Sequence, residues 1–173
     1  MSKERQFIPL QIAVMTISDT RTEENDKSGA MLKRLLEEAG HYLKEKLIVP
    51  DNIYQIRAEV SRWIASDDVN VVLTTGGTGV TGRDGTPEAV QPLLDKVIDG
   101  FGEMFRVLSY ETIGTSTLQS RALAGVANGT YIFCLPGSSG ACKDGWTKLI
   151  VNQLDNRSRP CNLVELMPRL KEI

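Results

Sequence analysis

Apolar positions along the chain fall into four short runs that predict β-strands. Each run is rich in β-branched residues and is nearly continuous rather than alternating, which is typical of strands covered on both faces. The predicted strands are Leu10–Ile17, Leu43–Val49, Asn70–Thr75 and Thr130–Leu135. Strands of this kind need helices above and below the sheet.

The segments between these strands repeat apolar residues at helical spacing. The first stripe runs from Met31 to Ala39, with Asp26 or Ser28 as the N-cap and Gly40 just past the end. Pro92 is expected to break or kink a helix that begins at Thr86. The other helices are predicted over Ile53–Ile64, from the Thr86-Pro87 cap, over Phe101–Tyr110, over Thr115–Ala127 with Asn128-Gly129 as its end, and from about Ala141 to Leu154.

Strands that alternate with helices predict an α/β fold, a three-layer αβα sandwich with a mostly parallel sheet. A length of 173 residues suits a single domain. No internal repeat, low-complexity segment or interdomain linker interrupts the pattern. We therefore expect residues 1–173 to form one domain, with about 1–8 and 156–173 as terminal extensions.

Composition and charge narrow the class of function. Hydrophobic residues make up 41% and charged residues 24% of the chain, which is ordinary for a soluble globular protein. The net charge of −2 gives no basic field for nucleic acid or anionic lipid. The first residues lack the apolar core of a signal peptide, and no apolar stretch approaches the roughly 20 residues of a membrane span. We expect a cytoplasmic protein that binds neither nucleic acid nor membrane.

The three cysteines indicate a reducing compartment rather than thiol chemistry. Their odd number and the lack of a C-x-x-C pair predict neither a disulfide framework nor a zinc site. Cys134 lies within an apolar run and is expected to be a small buried hydrophobe. A nucleophilic cysteine would need a nearby base, and the single histidine, His41, is expected at the surface after a helix end.

Three segments that follow predicted strands are expected to meet at one edge of the sheet: Ser18-Asp19, Thr74–Thr86 and Leu135–Gly140. In an open parallel sheet, ligands bind outside the carboxyl ends of the strands. Thr74–Thr86 holds five glycines and five threonines, more than a tight turn needs. Backbone N–H groups in such loops bind anions, whereas Pro136-Gly137-Ser138 alone is as readily a tight turn. The pattern favours a phosphorylated small molecule held by backbone and hydroxyl groups.

The glycines match neither common nucleotide-binding motif well. Gly77-x-Gly79-x-x-Gly82 fits the dinucleotide fingerprint literally, but it follows the third strand, and Arg83-Asp84-Gly85 separates it from the next helix. The G-x-x-x-x-G-K-[ST] phosphate loop is absent from the sequence. A nicotinamide-dependent oxidoreductase is therefore a weak hypothesis that rests on this fingerprint alone.

Acidic residues at the same edge indicate a metal ion. Asp19, Asp51 and Asp84 each follow or lie within the loops at this edge. Carboxylates beside an anion-binding loop repel phosphate unless a cation bridges them, and Mg²⁺ is usually held by one or two carboxylates plus substrate phosphates. The alternatives are that Asp51 is a helix cap and Asp84 a turn residue. Arg83 or Arg121 is either a phosphate contact or an ordinary surface arginine.

Taken together, these segments resemble the MoaB/MogA family of molybdenum-cofactor biosynthesis proteins over nearly the whole chain. The order and spacing of the glycine loop, the downstream aspartate and the L-P-G-S turn are the specific part of the match. Residues 113–162, with Arg159-Pro160-Cys161-Asn162 near the end, are more similar to the protein B branch than to the MogA branch. The matching motifs are Thr16-Ile17-Ser18-Asp19, Asp26-Lys27-Ser28-Gly29, Thr74-Thr75-Gly76-Gly77-Thr78-Gly79, Arg83-Asp84-Gly85-Thr86-Pro87-Glu88, Ser120-Arg121-Ala122 and Leu135-Pro136-Gly137-Ser138.

The resemblance implies a molybdopterin-binding α/β fold that assembles as a homotrimer or a dimer of trimers. It implies that molybdopterin and ATP are the substrates, that Mg²⁺ is required, and that other cofactor-biosynthesis proteins are possible partners. Active relatives adenylylate the terminal phosphate of molybdopterin before molybdate is inserted. The family's two essential carboxylates, catalytic and metal-binding, correspond to Asp51 and Asp84. The residues expected to contact ligand are Ser18, Asp19, Thr75, Gly76, Gly77, Thr78, Gly79, Ser116, Pro136, Gly137 and Ser138.

Two hypotheses follow from the resemblance. The first is an active adenylyltransferase, which is favoured because both acidic positions are occupied by aspartate. The second is a non-catalytic molybdopterin-binding or scaffold protein with the same fold, since some protein B members are thought not to catalyse the reaction.

Overall fold

The sheet predicted from the apolar runs is present in the computed structural model, which describes residues 5–173. It has six strands in the spatial order β2-β1-β3-β6-β5-β4. The strands are β1 (Gln11–Ile17), β2 (Tyr42–Val49), β3 (Val71–Thr75), β4 (Lys96–Val97), β5 (Leu123–Ala127) and β6 (Thr130–Leu135). β1 pairs in parallel with β2 and β3, and β3 pairs in parallel with β6. The β5 strand runs antiparallel to both β6 and β4.

The helices lie on both faces of this sheet. They are α1 (Lys27–Glu38), α2 (Ile53–Ile64), α3 (Thr86–Val90), α4 (Asp99–Ile113), α5 (Ser139–Gly145), α6 (Val151–Gln153) and α7 (Leu163–Leu166). A π-helical turn, Trp146–Ile150, joins α5 to α6. Short 3₁₀ turns cover Gln91–Leu93, Gly114–Gln119 and Met167–Arg169. The helix over Ala141–Leu154 is thus present with this π turn within it, and the helix that begins at Thr86 gives way to a 3₁₀ turn at Pro92, as predicted.

Alternate side chains of β1 enter two separate cores, which confirms the three-layer α/β prediction. Ile12 and Val14 pack in the core that includes Leu32 of α1 and Phe105 of α4. Ala13, Met15 and Ile17 pack in the core that includes Ile56, Val60 and Trp63 of α2. Helices therefore cover each face of the sheet, α1 and α4 on one side and α2 on the other.

The helix predicted over Thr115–Ala127 is wrong. Its first part is the 3₁₀ turn Gly114–Gln119, and its second part is the strand β5. Asn128 and Gly129 are not a helix end but a two-residue hairpin loop, with φ of 47° and 78°. Asn-Gly is the preferred sequence for such a loop because both positions need positive φ. The apolar run Leu123–Ala127 is therefore paired with β6 and covered on both faces.

His41 is buried, with 4% of its surface exposed, so the prediction of a surface position is wrong. Its Nδ1 accepts a hydrogen bond from the Leu10 N–H at 3.1 Å. Its ring also lies 5.2 Å from that of Phe7. Burial lowers the pKa of His41, so the imidazole is neutral and serves as an acceptor that fastens the segment before β1.

The terminal residues on the described part of the chain pack on the domain. The Ile8 N–H donates to the Asn156 side chain at 3.0 Å. Val164 of α7 is buried in one of the two cores, and the Leu163 carbonyl accepts from the Tyr131 hydroxyl at 2.7 Å. Among residues 5–173, no helix combines the length and the apolar character that crossing a bilayer requires.

The hairpin loop gives a test of the backbone conformation at Gly129. Gly129→Ala should lower the free energy of unfolding by about 1–2 kcal/mol, the usual penalty for a Cβ in the left-handed region. The measurement is urea unfolding at fixed protein concentration. Gly100→Ala is the matched control, because a Cβ there meets nothing within 4 Å in the first turn of α4. Equal effects of the two substitutions would contradict the positive φ at Gly129.

Candidate functional site

A cavity of about 510 Å³ lies at the carboxyl ends of β1, β3 and β6. It is within the size range of small-molecule sites. Nearly every residue that the sequence analysis proposed lines this cavity. Those residues are Ser18, Asp51, Thr75, Gly76, Gly77, Thr78, Gly79, Asp84, Ser116, Pro136, Gly137 and Ser138. Their individual contacts with ligand remain predictions, but the fold brings them together.

Asp19 is outside the cavity lining and fastens its rim. The Arg83 guanidinium donates to both carboxylate oxygens of Asp19, with Nη2–Oδ1 and Nε–Oδ2 distances of 2.7 and 2.9 Å. The Asp51 N–H donates to Asp19 Oδ1 at 3.0 Å. The hydrogen bond from Arg83 is the main reason that the pKa of Asp19 is lowered. Asp19 therefore ties together the loop after β1, the glycine loop and the segment after β2.

The glycine loop, defined here as residues 76–85 between β3 and α3, contacts neighbouring backbone closely. Gly76 and Gly77 have φ of 106° and 69°, which side chains rarely adopt. A Cβ on Gly76 would lie 2.3 Å from the Ile17 carbonyl oxygen, and one on Gly77 would lie 2.3 Å from Thr86 Oγ1. Glycine is therefore required at both positions for backbone conformation and for space.

The loop turns its first carbonyl groups toward α3. Thr86 Oγ1 donates to the Gly76 carbonyl at 2.8 Å, and the Thr86 N–H donates to the Gly77 carbonyl at 3.0 Å. Across residues 5–173, the N–H groups of Gly77 and Thr78 make no hydrogen bond to protein. Both residues line the cavity. Consecutive free N–H groups beside positive-φ residues are the arrangement that binds phosphate.

This geometry does not match the dinucleotide fingerprint. In that motif the glycines open the helix that follows the strand. Here the next helix begins only at Thr86 and is five residues long. The fold therefore does not support the hypothesis of a nicotinamide-dependent oxidoreductase.

The two predicted catalytic carboxylates have different electrostatic environments. Burial and repulsion from Asp19 raise the pKa of Asp51, and Asp84 adds to that repulsion. The Thr81 hydroxyl donates to Asp84 Oδ2 at 2.7 Å and the Thr81 N–H donates to it at 2.9 Å. These hydrogen bonds lower the pKa of Asp84. The ionised form of Asp51 is thus disfavoured by its surroundings, whereas that of Asp84 is stabilised.

The sequence left open that Asp51 is a helix cap and that Asp84 is a turn residue, and the structure answers the two questions differently. Asp51 is not the cap of α2, because Asn52 Oδ1 accepts from the N–H groups of Tyr54 and Gln55 at 3.0 and 3.1 Å. Asp84 does serve as a turn residue through Thr81, and it also lines the cavity. The turn explains how the Asp84 carboxylate is held, and it does not compete with a role toward ligand.

The donor set suits a hard cation carried by a phosphorylated ligand. Carboxylate oxygens are ligands that Mg²⁺ prefers. No cluster of three or more His, Cys, Asp or Glu side chains with metal-binding geometry occurs within residues 5–173. Asp51 and Asp84 would therefore supply at most part of a coordination shell, with phosphates and water completing it, as is usual for Mg²⁺-nucleotide sites.

The floor of the cavity rests on the buried cap of α1. Thr16 Oγ1 and Lys46 Nζ donate to Asp26 Oδ2 at 2.7 and 2.8 Å, and the Gly29 N–H donates to Oδ1 at 3.0 Å. Burial opposes ionisation of Asp26, but the hydrogen bonds from Lys46 and Thr16 outweigh it, and its pKa is lowered. Asp26 is thus the N-cap, one of the two residues proposed from the sequence. Thr16 itself lines the cavity.

The cavity is also lined by residues that sequence reasoning missed. Ser109 and Ile113 of α4, together with Gln119 and Ser120, line the cavity beside Ser116. Ser120 Oγ is buried and has no hydrogen-bond partner on residues 5–173. The mispredicted helix over Thr115–Ala127 concealed this part of the lining, and the Ser120-Arg121-Ala122 motif was the available signal.

The two buried cysteines, Cys134 and Cys142, are not suited to act as nucleophiles. Cys134 and Cys142 are fully buried, and burial raises the pKa of each to about 12. Cys142 Sγ donates to Thr75 Oγ1 at 3.2 Å and so supports the end of β3. The prediction that Cys134 is a small buried hydrophobe is confirmed.

Comparisons with known proteins agree with the motifs. Residues 13–156 match the family model described as "Probable molybdopterin binding domain". Molybdenum cofactor biosynthesis protein B of Escherichia coli (strain K12) is 58% identical over 96% of each chain. A crystal structure of a molybdenum cofactor biosynthesis protein B is 44% identical, covers 98% of this chain and 100% of its own, and has a TM-score of 0.87. The tungsten cofactor synthesizing protein MoaB from Pyrococcus furiosus is 39% identical, covers 79% and 88% of the two chains, and has a TM-score of 0.73. The chain therefore belongs to the molybdenum cofactor biosynthesis protein B family and is built on its molybdopterin-binding domain.

Proposed function

We propose that this chain binds molybdopterin in the cavity and transfers AMP from Mg-ATP to the terminal phosphate of molybdopterin. The observation that carries the proposal is the convergence of Asp51, Asp84 and the free N–H groups of Gly77 and Thr78 on one cavity. Two carboxylates and an anion-binding loop are an unfavourable combination unless a cation and a phosphate are both present.

The proposed reaction needs little covalent chemistry from the protein. A phosphate oxygen of molybdopterin attacks the α-phosphorus of ATP, a new P–O bond forms, and the bond between that phosphorus and the bridging oxygen to the β-phosphate breaks. Pyrophosphate leaves with the electron pair of that bond. The attacking phosphate is already an anion, so no protein base is required. Positioning and charge neutralisation therefore carry the rate.

Different residues of the cavity lining would carry out these tasks. Asp51 and Asp84 would hold Mg²⁺, which, when bound, neutralises charge on the substrate phosphates. The N–H groups of Gly77 and Thr78 would hold a phosphate oxygen. Ser116 and Ser120 also line the cavity, and their hydroxyl groups would serve as partners for polar parts of the pterin.

The second candidate is a molybdopterin-binding or scaffold protein without turnover. The contacts between Asp84 and Thr81 favour it, because they give the Asp84 carboxylate a structural role that needs no metal. The two candidates differ in whether AMP is transferred, and not in whether pterin binds. A cytoplasmic location and possible contacts with other cofactor-biosynthesis proteins stay predictions under both.

The first test removes one carboxylate while keeping its shape. Asp84→Asn should abolish AMP transfer, with a loss of roughly 100-fold or more expected for removal of a transition-state charge contact. Molybdopterin affinity should change little. The measurement is formation of adenylylated pterin from Mg-ATP, beside equilibrium binding of pterin. Asp67→Asn is the control, because Asp67 is 96% exposed and remote from the cavity lining.

The outcomes separate the two functions. Transfer by the wild type and by Asp67→Asn alone supports the enzyme. Tight pterin binding with no product from the wild type supports the non-catalytic member. Loss of pterin binding in step with turnover in Asp84→Asn would contradict the role given to Asp84.

Because the pKa of Asp51 is raised, its replacement by asparagine should have opposite effects on stability and on activity. A carboxyl whose folded pKa lies above its ordinary 3.8 destabilises the fold once it is ionised. Asp51→Asn should therefore be more resistant to urea than the wild type at pH 7, and the difference should vanish below about pH 4. The same substitution should abolish AMP transfer. A less stable Asp51→Asn would contradict the electrostatic assignment.

Self-association is the remaining part of the proposal. The outer face of α4 and the turn after it expose large apolar side chains, among them Met104, Val107, Tyr110 and Leu118. Leu118 is 79% exposed. Contiguous apolar surface of this kind usually marks an interface. We propose that a second copy of the chain covers it, in a homotrimer or a dimer of trimers.

Light scattering after size-exclusion chromatography tests this surface. The wild type should have the mass of three or six chains, and Val107→Glu should dissociate it because a buried unpaired charge is strongly unfavourable. Tyr54→Glu is the control, since Tyr54 is 76% exposed on α2. A monomeric wild type would end this part of the proposal.

A further inference from the structure

Arg121 holds the glycine loop from behind. Its backbone N–H donates to the Thr78 carbonyl at 2.9 Å. Its guanidinium donates from Nε to the Gly79 carbonyl at 2.8 Å and from Nη2 to the Asp84 carbonyl at 3.0 Å. One residue thus takes up carbonyl oxygens from both halves of the loop.

The same guanidinium also fixes the element that follows the loop. It pairs with the Glu88 carboxylate on α3, with an Nη2–Oε2 distance of 3.3 Å. The hydrogen bond from Arg121 is the main reason that the pKa of Glu88 is lowered. The planar guanidinium group carries several donors in a fixed arrangement, so it can bind the Gly79 and Asp84 carbonyls and the Glu88 carboxylate at once. A lysine ammonium group does not have this arrangement and is not equivalent here.

Arg121 directly follows the segment Ser116–Ser120, called here the Ser116–Ser120 wall, of which Ser116, Gln119 and Ser120 line the cavity. Its neighbour Ser120 lines the cavity and has a buried hydroxyl with no partner on residues 5–173. The contacts of Arg121 therefore cross from the Ser116–Ser120 wall to the loop that carries Asp84. The distance between the two walls depends on this crossing.

The sequence analysis proposed both Arg83 and Arg121 as phosphate contacts. The two side chains differ in exposure and in hydrogen-bond partners. The Arg83 side chain is 65% exposed and is held only at the rim by Asp19. The Arg121 side chain is 33% exposed and its donors are occupied by the loop and by Glu88. Four of the five guanidinium N–H donors of Arg121 are thus committed to the glycine loop and to Glu88.

We propose that Arg121 is a positioning residue, which sets the Asp84 carboxylate and the free loop N–H groups at a fixed distance from the Ser116–Ser120 wall. This inference rests on the proposed function for its catalytic consequence, but its structural consequence is measurable without turnover. Misplacement of a reacting group by about 1 Å costs roughly 100-fold in rate.

The experiment compares Arg121→Met and Arg121→Lys with the wild type, and uses Arg62→Met as a matched control. Arg62 is also an arginine that pairs with carboxylates, Glu45 and Glu59, but it lies on α2 away from the cavity lining. The measurements are amide hydrogen exchange of residues 76–86, molybdopterin affinity, and kcat and KM for AMP transfer.

Arg121→Met should raise exchange over residues 76–86 by at least about 10-fold while leaving β1 protected, as expected for local opening. Its kcat should fall roughly 100-fold with a much smaller change in KM, because the lost positioning acts on the transition state. Arg121→Lys should be intermediate, since it keeps the charge and loses the fork. Arg62→Met should match the wild type in every measurement.

Unchanged exchange over residues 76–86 in Arg121→Met would overturn the proposal, and so would wild-type behaviour of Arg121→Lys. If Arg121→Met does not fold, the comparison of Arg121→Lys with the wild type decides the same point. If the wild type itself transfers no AMP, the proposed function fails, and loop exchange with molybdopterin affinity still tests the positioning role.

Discussion

Gly76 lies where the carboxyl ends of the parallel strands β1, β3 and β6 meet. Because Gly76 has no side chain, the backbone segments at the ends of these strands can pack closely against it. Its N–H donates to the Leu135 carbonyl at the end of β6 at 3.0 Å. A Cβ at Gly76 would lie 2.3 Å from the carbonyl oxygen of Ile17 at the end of β1, and a Cβ at Gly137 would lie 3.4 Å from the Gly76 Cα. The absence of a side chain at Gly76 allows three segments to line one cavity: the glycine loop, the segment after β1 and the Pro136–Ser138 turn. Any larger residue there separates the walls on which the site depends.

The charges around the cavity follow from that close packing. Burial raises the pKa of Asp51, and repulsion from Asp19 and Asp84 raises it further. Two of the three have local partners, Arg83 for Asp19 and Thr81 for Asp84. Asp51 is the carboxylate left with the repulsion, which is the usual condition of a group whose partner is a ligand rather than a residue.

Sequence patterns were sufficient where one signal dominated the local structure. Thr130–Leu135 was predicted to the residue because its apolar run is bounded by the Asn-Gly turn and by Pro136. The same turn misled the prediction on its other side, since Asn-Gly also ends helices and Leu123–Ala127 has no alternation to show that it is a strand. His41 and Ser120 were out of reach for a different reason. Their environments depend on Leu10 in the first case and on the cavity wall in the second, and no local periodicity encodes either contact.

The outer strands of the sheet bear on how this protein avoids aggregation. The β2 strand is one edge, and it carries Lys44, Glu45 and Lys46 in succession. The β4 strand is the other edge and is only two residues long. Charged or very short edge strands are poor templates for the strand-to-strand addition that builds fibrils. Both edges of the sheet therefore disfavour the pairing of one copy of the chain with another through added strands.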